Sequence, residues 1–164
     1  MPAAIRPARA SDIDALVRIE NAVFPTDRIS RRSFRQLIER ETAETLVAEV
    51  DGRVAGYCMV LFRRGSGVAR LYSIAVAAEH GGSGVGRLLL DRAEKIAYDH
   101  DRLILRLEVR DDNARAIRVY EKSGYRRIGM EPDYYEDHAP ALRYEKVLRG
   151  SAAFATRVPF YAQT

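Results

Sequence analysis

Cysteine occurs once in the 164 residues, at Cys58, so neither an intrachain disulfide nor a cysteine-based zinc cluster can form. It stands in the apolar run Tyr57-Cys58-Met59-Val60, where a buried structural thiol is expected rather than a nucleophile. The three histidines, His80, His100 and His138, lack metal-ligand spacing and are expected as solvated or capping residues, with no metal. Apolar runs such as Ile74 to Ala78 and Leu103 to Leu105 fall far short of the roughly 20 residues that span a membrane. Met1-Pro2-Ala3-Ala4 shows no charged-then-apolar leader pattern. A cytoplasmic protein with no membrane partner is therefore expected. Internal repeats and low-complexity tracts are absent too. Charge of one sign does not dominate either. The 27 basic and 23 acidic residues are interleaved, and the net charge is +4 with a pI near 9.4. Short basic clusters lie at Arg63-Arg64 and from Arg28 to Arg35, with no basic face interleaved with aromatics, so no nucleic-acid partner is expected. The mild positive balance fits a solvated surface or a polyanionic cofactor.

What is present is ordinary for one compact domain, with 47% hydrophobic and 30% charged residues. Ile5 to Ala8 reads as an opening strand. Ser11, with Asp14 three residues on, reads as the N-cap of a helix to about Ala22, and Ser30 starts a second helix with Phe34, Leu37 and Ile38 on one face. Thr45 to Val50 and Val54 to Phe62 are strand-like runs joined by the hairpin signal Asp51-Gly52. A strand from Val68 to Val76 follows. Val85, Leu88, Leu89, Ala93, Ile96 and Ala97 then trace a helical stripe. Leu103 to Val109 is a buried-strand pattern, Asn113 caps a helix to Lys122, and Tyr125 to Met130 and Leu142 to Leu148 close the domain. The result is a mixed α/β sheet with helices on its faces.

Between a strand and a helix lies Glu79-His80-Gly81-Gly82-Ser83-Gly84-Val85-Gly86-Arg87. Main-chain N–H groups of a glycine-rich turn, added to the positive end of a helix dipole, suit phosphate oxygens. Arg87 can add a full charge. The spacing is neither G-x-G-x-x-G nor a P-loop, since Arg87-Leu88 replaces the Lys-Ser/Thr step. That disfavours dinucleotide and nucleoside-triphosphate enzymes, and leaves a plain glycine-rich turn as the alternative.

With these residues the sequence resembles the GCN5-related N-acetyltransferase (GNAT) superfamily, most closely its ribosomal-protein-alanine N-acetyltransferases. Tyr72-Ser73-Ile74-Ala75-Val76 followed by Gly82 to Arg87 is similar to the superfamily's acetyl-CoA segment. Leu107-Glu108-Val109-Arg110, Asn113, Ala116, Tyr120 and Gly124-Tyr125 resemble its catalytic strand and helix, and Tyr134-Tyr135-Glu136-Asp137 the loop shaping the peptide site. Two departures are Gly81 where Gln or Arg usually opens the phosphate loop, and Ala77-Ala78 where Asp-Pro is frequent.

The resemblance implies the GNAT fold, a mostly antiparallel sheet of about seven strands with about four helices, over residues 1–149. It implies acetyl-CoA as donor and direct attack of an amine on the thioester. It implies cofactor contacts from Ile74, Ala75, Val76, Gly82, Ser83, Gly84, Val85, Gly86, Arg87 and Asn113, with a backbone N–H near Val76 as oxyanion donor. Glu108 is the expected base, its pKa raised by apolar neighbours, and Tyr120 the expected acid. Phe24, Arg31, Tyr134 and Tyr135 are the expected substrate wall, the arginines from Arg28 to Arg35 favouring an acidic acceptor. The preferred acceptor is a protein N-terminus. Lysine side chains, small amines, or acetyl-CoA binding without turnover are the alternatives. A monomer or homodimer is expected. Residues 150–164 form a tail in which Arg157 to Thr164 resembles the opening of papain-like C39 peptidase domains.

Overall fold

The structure, a computed structural model, describes residues 2–148. β1 (Ala4–Pro7) leads through a 3-10 turn into α1 (Ile13–Val23) and α2 (Arg31–Glu39). β2 (Ala43–Val50), β3 (Arg53–Phe62) and β4 (Val68–Val76) form a meander. α3 (Val85–Asp99), β5 (Ile104–Arg110), α4 (Ala114–Lys122), β6 (Arg126–Glu131) and β7 (Ala141–Val147) follow. One seven-stranded sheet results, in the order β1-β2-β3-β4-β5-β7-β6. Among the described residues only β4 and β5 pair in parallel. The element order matches the sequence expectation. The tail from residue 150, with its peptidase-like stretch, lies outside the described residues.

Local chemistry accounts for the boundaries. Asp51 and Gly52 both take positive φ, +53° and +76°, the geometry of a two-residue hairpin that suits the strand twist. Ser30 Oγ accepts the Ser33 N–H at 3.1 Å, and Asn113 Oδ1 accepts the Ala116 N–H at 3.2 Å. The cap expected at Ser11 is not found. Ser11 lies inside the 3-10 turn Ala10–Asp12, and Asp12 accepts the Arg9 N–H at 2.7 Å. The Arg6 guanidinium grips both Asp12 oxygens at 2.8 Å, which fixes that carboxylate in place.

Alternation in the strands divides the core between the two faces. Leu46, Ala48, Cys58, Val60, Leu71, Leu105, Leu107 and Val109 pack with α3 and with Tyr120 of α4. Val47, Tyr57, Met59 and Ala75 pack on the other face against Leu16, Ile19 and Phe34. The second cluster draws no residue from β5, β6 or β7. On that half of the sheet the same face instead carries Arg106, Glu108, Arg143 and Glu145, joined as ion pairs.

Two features open the sheet. Against β3, Ser73 pairs with Met59 but Leu71 with Val60, so Tyr72 is an extra residue that bulges β4 and bends it. Beside it, parallel pairing of β4 with β5 is confined to Val68↔Ile104, Ala69↔Leu105 and Arg70↔Arg106. Beyond Arg70 the two strands part.

Candidate active site

The gap between the diverging strands is the floor of a cleft of about 1190 Å³. The strand edge facing it can be assigned. A Cβ on Gly56 of β3 would stand 2.8 Å from the Ala75 carbonyl, so Ala75 turns its main chain toward β3. Alternation then points the N–H groups of Ile74 and Val76 into the gap. Both residues, with Ala75, line the cleft.

At one end the floor meets the start of α3. Gly84 is its N-cap with φ +88°, and Gly82 has φ +79°, a region that costs a residue with a side chain roughly 1–2 kcal/mol. The first intrahelical bond runs from Leu88 N–H to Gly84 O at 3.0 Å, which leaves the amides of Val85, Gly86 and Arg87 without a helical acceptor. They sit at the positive end of a 15-residue helix. Gly82, Gly84, Val85, Gly86 and Arg87 line the cleft, as does Asn113 across from them. Ser83 does not, because its amide and its hydroxyl both bond back to His80 O. The residues present suit a diphosphate held by main-chain donors.

Glu108 and Tyr120 line this same cleft, one on β5 and one on α4. The environment of Glu108 differs from the expected apolar one. Its side chain is 8% exposed and both oxygens are engaged by guanidinium groups. Oε1 accepts from Arg70 Nε at 2.9 Å and Oε2 from Arg143 Nε at 3.1 Å. The Tyr134 hydroxyl, held by Arg70 Nη2 at 2.7 Å, stands 3.5 Å from Oε1. Alternation explains this, since Glu108 lies on the charged face of β5 while Leu107 and Val109 take the apolar one. Tyr120 is buried, edge-on to Tyr125 at 5.7 Å, and burial pushes its phenol up to about 12. Among the described residues its hydroxyl has no hydrogen-bond partner, so a donor proton is free for the cleft.

The other wall is built by two loops. Phe24 to Asp27, after α1, and Tyr134-Tyr135, between β6 and β7, both line the cleft. They are tied together, because the Asp27 carboxylate accepts the Glu136 N–H at 3.2 Å. The Tyr134 and Tyr135 rings meet edge to face at 4.9 Å, and Arg110 lies over Tyr135 while its fork holds Asp137 at 3.0 and 2.7 Å. That fork holds the Asp137 carboxyl at about 2, below the usual range. Arg31, expected on this wall, is directed instead to Asp14 of α1 and does not reach the cleft. Arg28 donates to the carbonyls of Phe24 at 2.7 Å and Asn21 at 3.2 Å and so pins the loop. On α2, Arg31 turns toward α1, and Arg32 and Arg35 are exposed to solvent.

These features are a helix start with unused amides, two parted parallel strands, and a carboxylate and a phenol that line the same cleft from opposite faces of the sheet. Residues 13–125 match the model of the acetyltransferase (GNAT) family. The chain belongs to the GNAT family. It is similar to a Bacillus subtilis protein that carries the provisional name [ribosomal protein bS18]-alanine N-acetyltransferase, with 33% identity over 136 residues, 83% of this chain and 89% of the relative. It is similar also to an N-alpha-acetyltransferase of Sulfurisphaera tokodaii, with 32% identity over 146 residues, 81% of this chain and 86% of that one. Among solved structures, Ard1 from Thermoplasma volcanium superposes with a TM-score of 0.83 at 28% identity, covering 92% of this chain and all of the other. The protein is thus a GNAT N-acetyltransferase whose donor is acetyl-CoA.

Two groups in this GNAT cleft escaped sequence reasoning. Arg70 stands inside an apolar strand, where alternation with Ala69 and Leu71 assigns it to the other face. Glu20 is 2% exposed on α1 and lines the cleft, where it accepts the Ile29 N–H at 2.8 Å and the Tyr57 hydroxyl. Burial raises its carboxyl above the ordinary range. No sequence signal separated it from solvent-facing helix carboxylates. Cys58 is fully buried, donates to Leu89 O at 3.7 Å, and has its thiol raised to about 12 by burial. Among the described residues no helix is long and apolar enough to cross a membrane.

Proposed function

We propose that this N-acetyltransferase acts on the α-amine of protein N-termini, by direct attack of the amine on the acetyl-CoA thioester. The observation that carries the proposal is the mouth of the cleft, where the Asp27–Glu136 bond ties the loop after α1 to the loop between β6 and β7. A bridged mouth admits the end of a chain more readily than a broad folded surface. The names of relatives in Bacillus subtilis and Sulfurisphaera tokodaii support the same acceptor class. So does proton chemistry. An α-amine of pKa near 8 is about one tenth neutral at pH 7, whereas a lysine near 10.4 is neutral in fewer than about one molecule in a thousand. Direct transfer accords with a cysteine that lies outside the cleft and has its thiol raised to about 12.

In this reading each residue has one task. Glu108 Oε2 accepts a single bond from Arg143, which leaves a lone pair for a water that relays the amine's proton. The amide N–H of Val76 stabilises charge on the thioester oxygen. As the new C–N bond forms and the C–S bond breaks, Tyr120 donates a hydrogen bond to the departing sulfur. Gly84 to Arg87 and Asn113 hold the donor. Phe24, Tyr134 and Tyr135 flank the acceptor.

Mass spectrometry of acetyl transfer tests the acceptor. One peptide set has free N-termini and blocked lysines, and the other has the reverse. The proposal expects product in the first set at least about ten times faster. Equal rates, or transfer only to lysine or to small free amines, would overturn it.

A further inference from the structure

Arg70 is the last β4 residue paired to β5, so its side chain sits where the strands begin to part. It lines the cleft, and its side chain is 43% exposed. Nε bonds Glu108 at 2.9 Å and Nη2 bonds the Tyr134 hydroxyl at 2.7 Å, which fixes the plane of the guanidinium. Tyr72 supports it from the side, with the guanidinium carbon 5.5 Å from the ring centroid. Nη1 has no acceptor among the described residues. A fixed guanidinium with an unused edge in an open cleft is a carboxylate receptor.

Resting on the N-terminal reading above, we infer that Arg70 selects acceptors whose first residue carries a carboxylate, that is, chains beginning with Asp or Glu. Reach decides the position. An amine poised for Glu108 lies one water from Oε2, and Arg70 grips Oε1 of the same carboxylate. A carboxylate two or three carbons from the amine then meets the free Nη1 edge, and groups farther along the chain point out through the mouth. Glu108 is shared by two guanidinium groups, Arg70 and Arg143, so neither has that carboxylate to itself. Glu131, 3.6 Å from Arg143, brings these four charges to balance, so an arriving carboxylate is held by the directed Nη1 edge and not by an excess of positive charge. This is an acidic preference of different origin from the one expected of Arg31 and its neighbours, which face away.

The test compares two isosteric peptides, one starting with Asp and one with Asn and otherwise identical, with acetylation followed by mass spectrometry. The wild-type protein is expected to favour Asp by about tenfold or more in kcat/KM, chiefly through KM. Arg70→Gln is expected to bring the ratio to about one or below, and Arg70→Lys to restore part of it. An unchanged ratio in Arg70→Gln overturns the inference. Should that variant not fold, the wild-type ratio alone decides, and a value of one or less overturns the inference. Acetylation of the Asn peptide without preference for Asp removes this inference and leaves the N-terminal reading standing. Acetylation of neither, with acetyl-CoA binding intact, removes both.

Discussion

Replacing Tyr120 by Phe separates the phenol's chemistry from its packing. The ring would keep its edge-on contact with Tyr125, 5.7 Å between centroids, and its place in the core around α3. Only the hydroxyl is lost. The size of the effect follows from the raised pKa of about 12. A thiolate of ordinary pKa near 8.5 would receive that proton against about 5 kcal/mol, too much for complete transfer to be useful. Donation of a hydrogen bond to developing charge is the workable role, and bonds to charged groups contribute about 1.5–3 kcal/mol. Tyr120→Phe should therefore lower kcat by about 10- to 150-fold, with little change in the KM for acetyl-CoA. Thiol release under saturating donor and acceptor, read at several pH values below 10, measures this, and thermal unfolding checks that the fold is intact. A loss under about threefold in a folded variant would refute the role. A loss appearing only in KM would refute it equally.

Glu108→Gln should lower kcat/KM by about 10²–10⁴, the range for a lost general base, with acetyl-CoA binding by calorimetry largely kept. Gly84→Ala should weaken acetyl-CoA binding and cost roughly 1–2 kcal/mol of stability, because φ of +88° strains any residue with a Cβ. Glu20→Gln tests the buried carboxyl through pH. Its folded pKa is raised above the ordinary 4.5, so the folded state holds the proton more tightly. The stability this confers is present below 4.5 and is lost as pH climbs through the folded value. Wild-type thermal stability should therefore decline relative to Glu20→Gln as pH rises from 4 toward neutrality. Parallel curves would contradict the assignment.

Much of the fold was legible because period and punctuation agree along the chain. Asp51-Gly52, Ser30, Asn113 and the stripe from Val85 to Ala97 each mark an element that the structure contains. The cap at Ser11 was misassigned because Asp12 competes for the same turn and is held there by Arg6, a partner six residues away. The cleft was legible in part. Gly82, Gly84, Gly86, Glu108 and Tyr120 carry enough pattern to be named from sequence, and all five line the cleft. The bulge at Tyr72, which bends β4, left no mark in composition, since it depends on register against β3. Side-chain direction was the main loss. Arg31 and Arg70 are equally basic in sequence, and only the helix repeat on α2 and the strand alternation on β4 send one to solvent and the other to the cleft.

The account rests on donor binding at the start of α3 and along the parted strands. Titrating acetyl-CoA into ¹⁵N-labelled protein and following amide shifts by NMR tests this directly. The largest shifts should fall on Gly84, Val85, Gly86 and Arg87, with Ile74 and Val76 next and the β6–β7 edge unmoved. Saturable binding that leaves those six amides unshifted would contradict it.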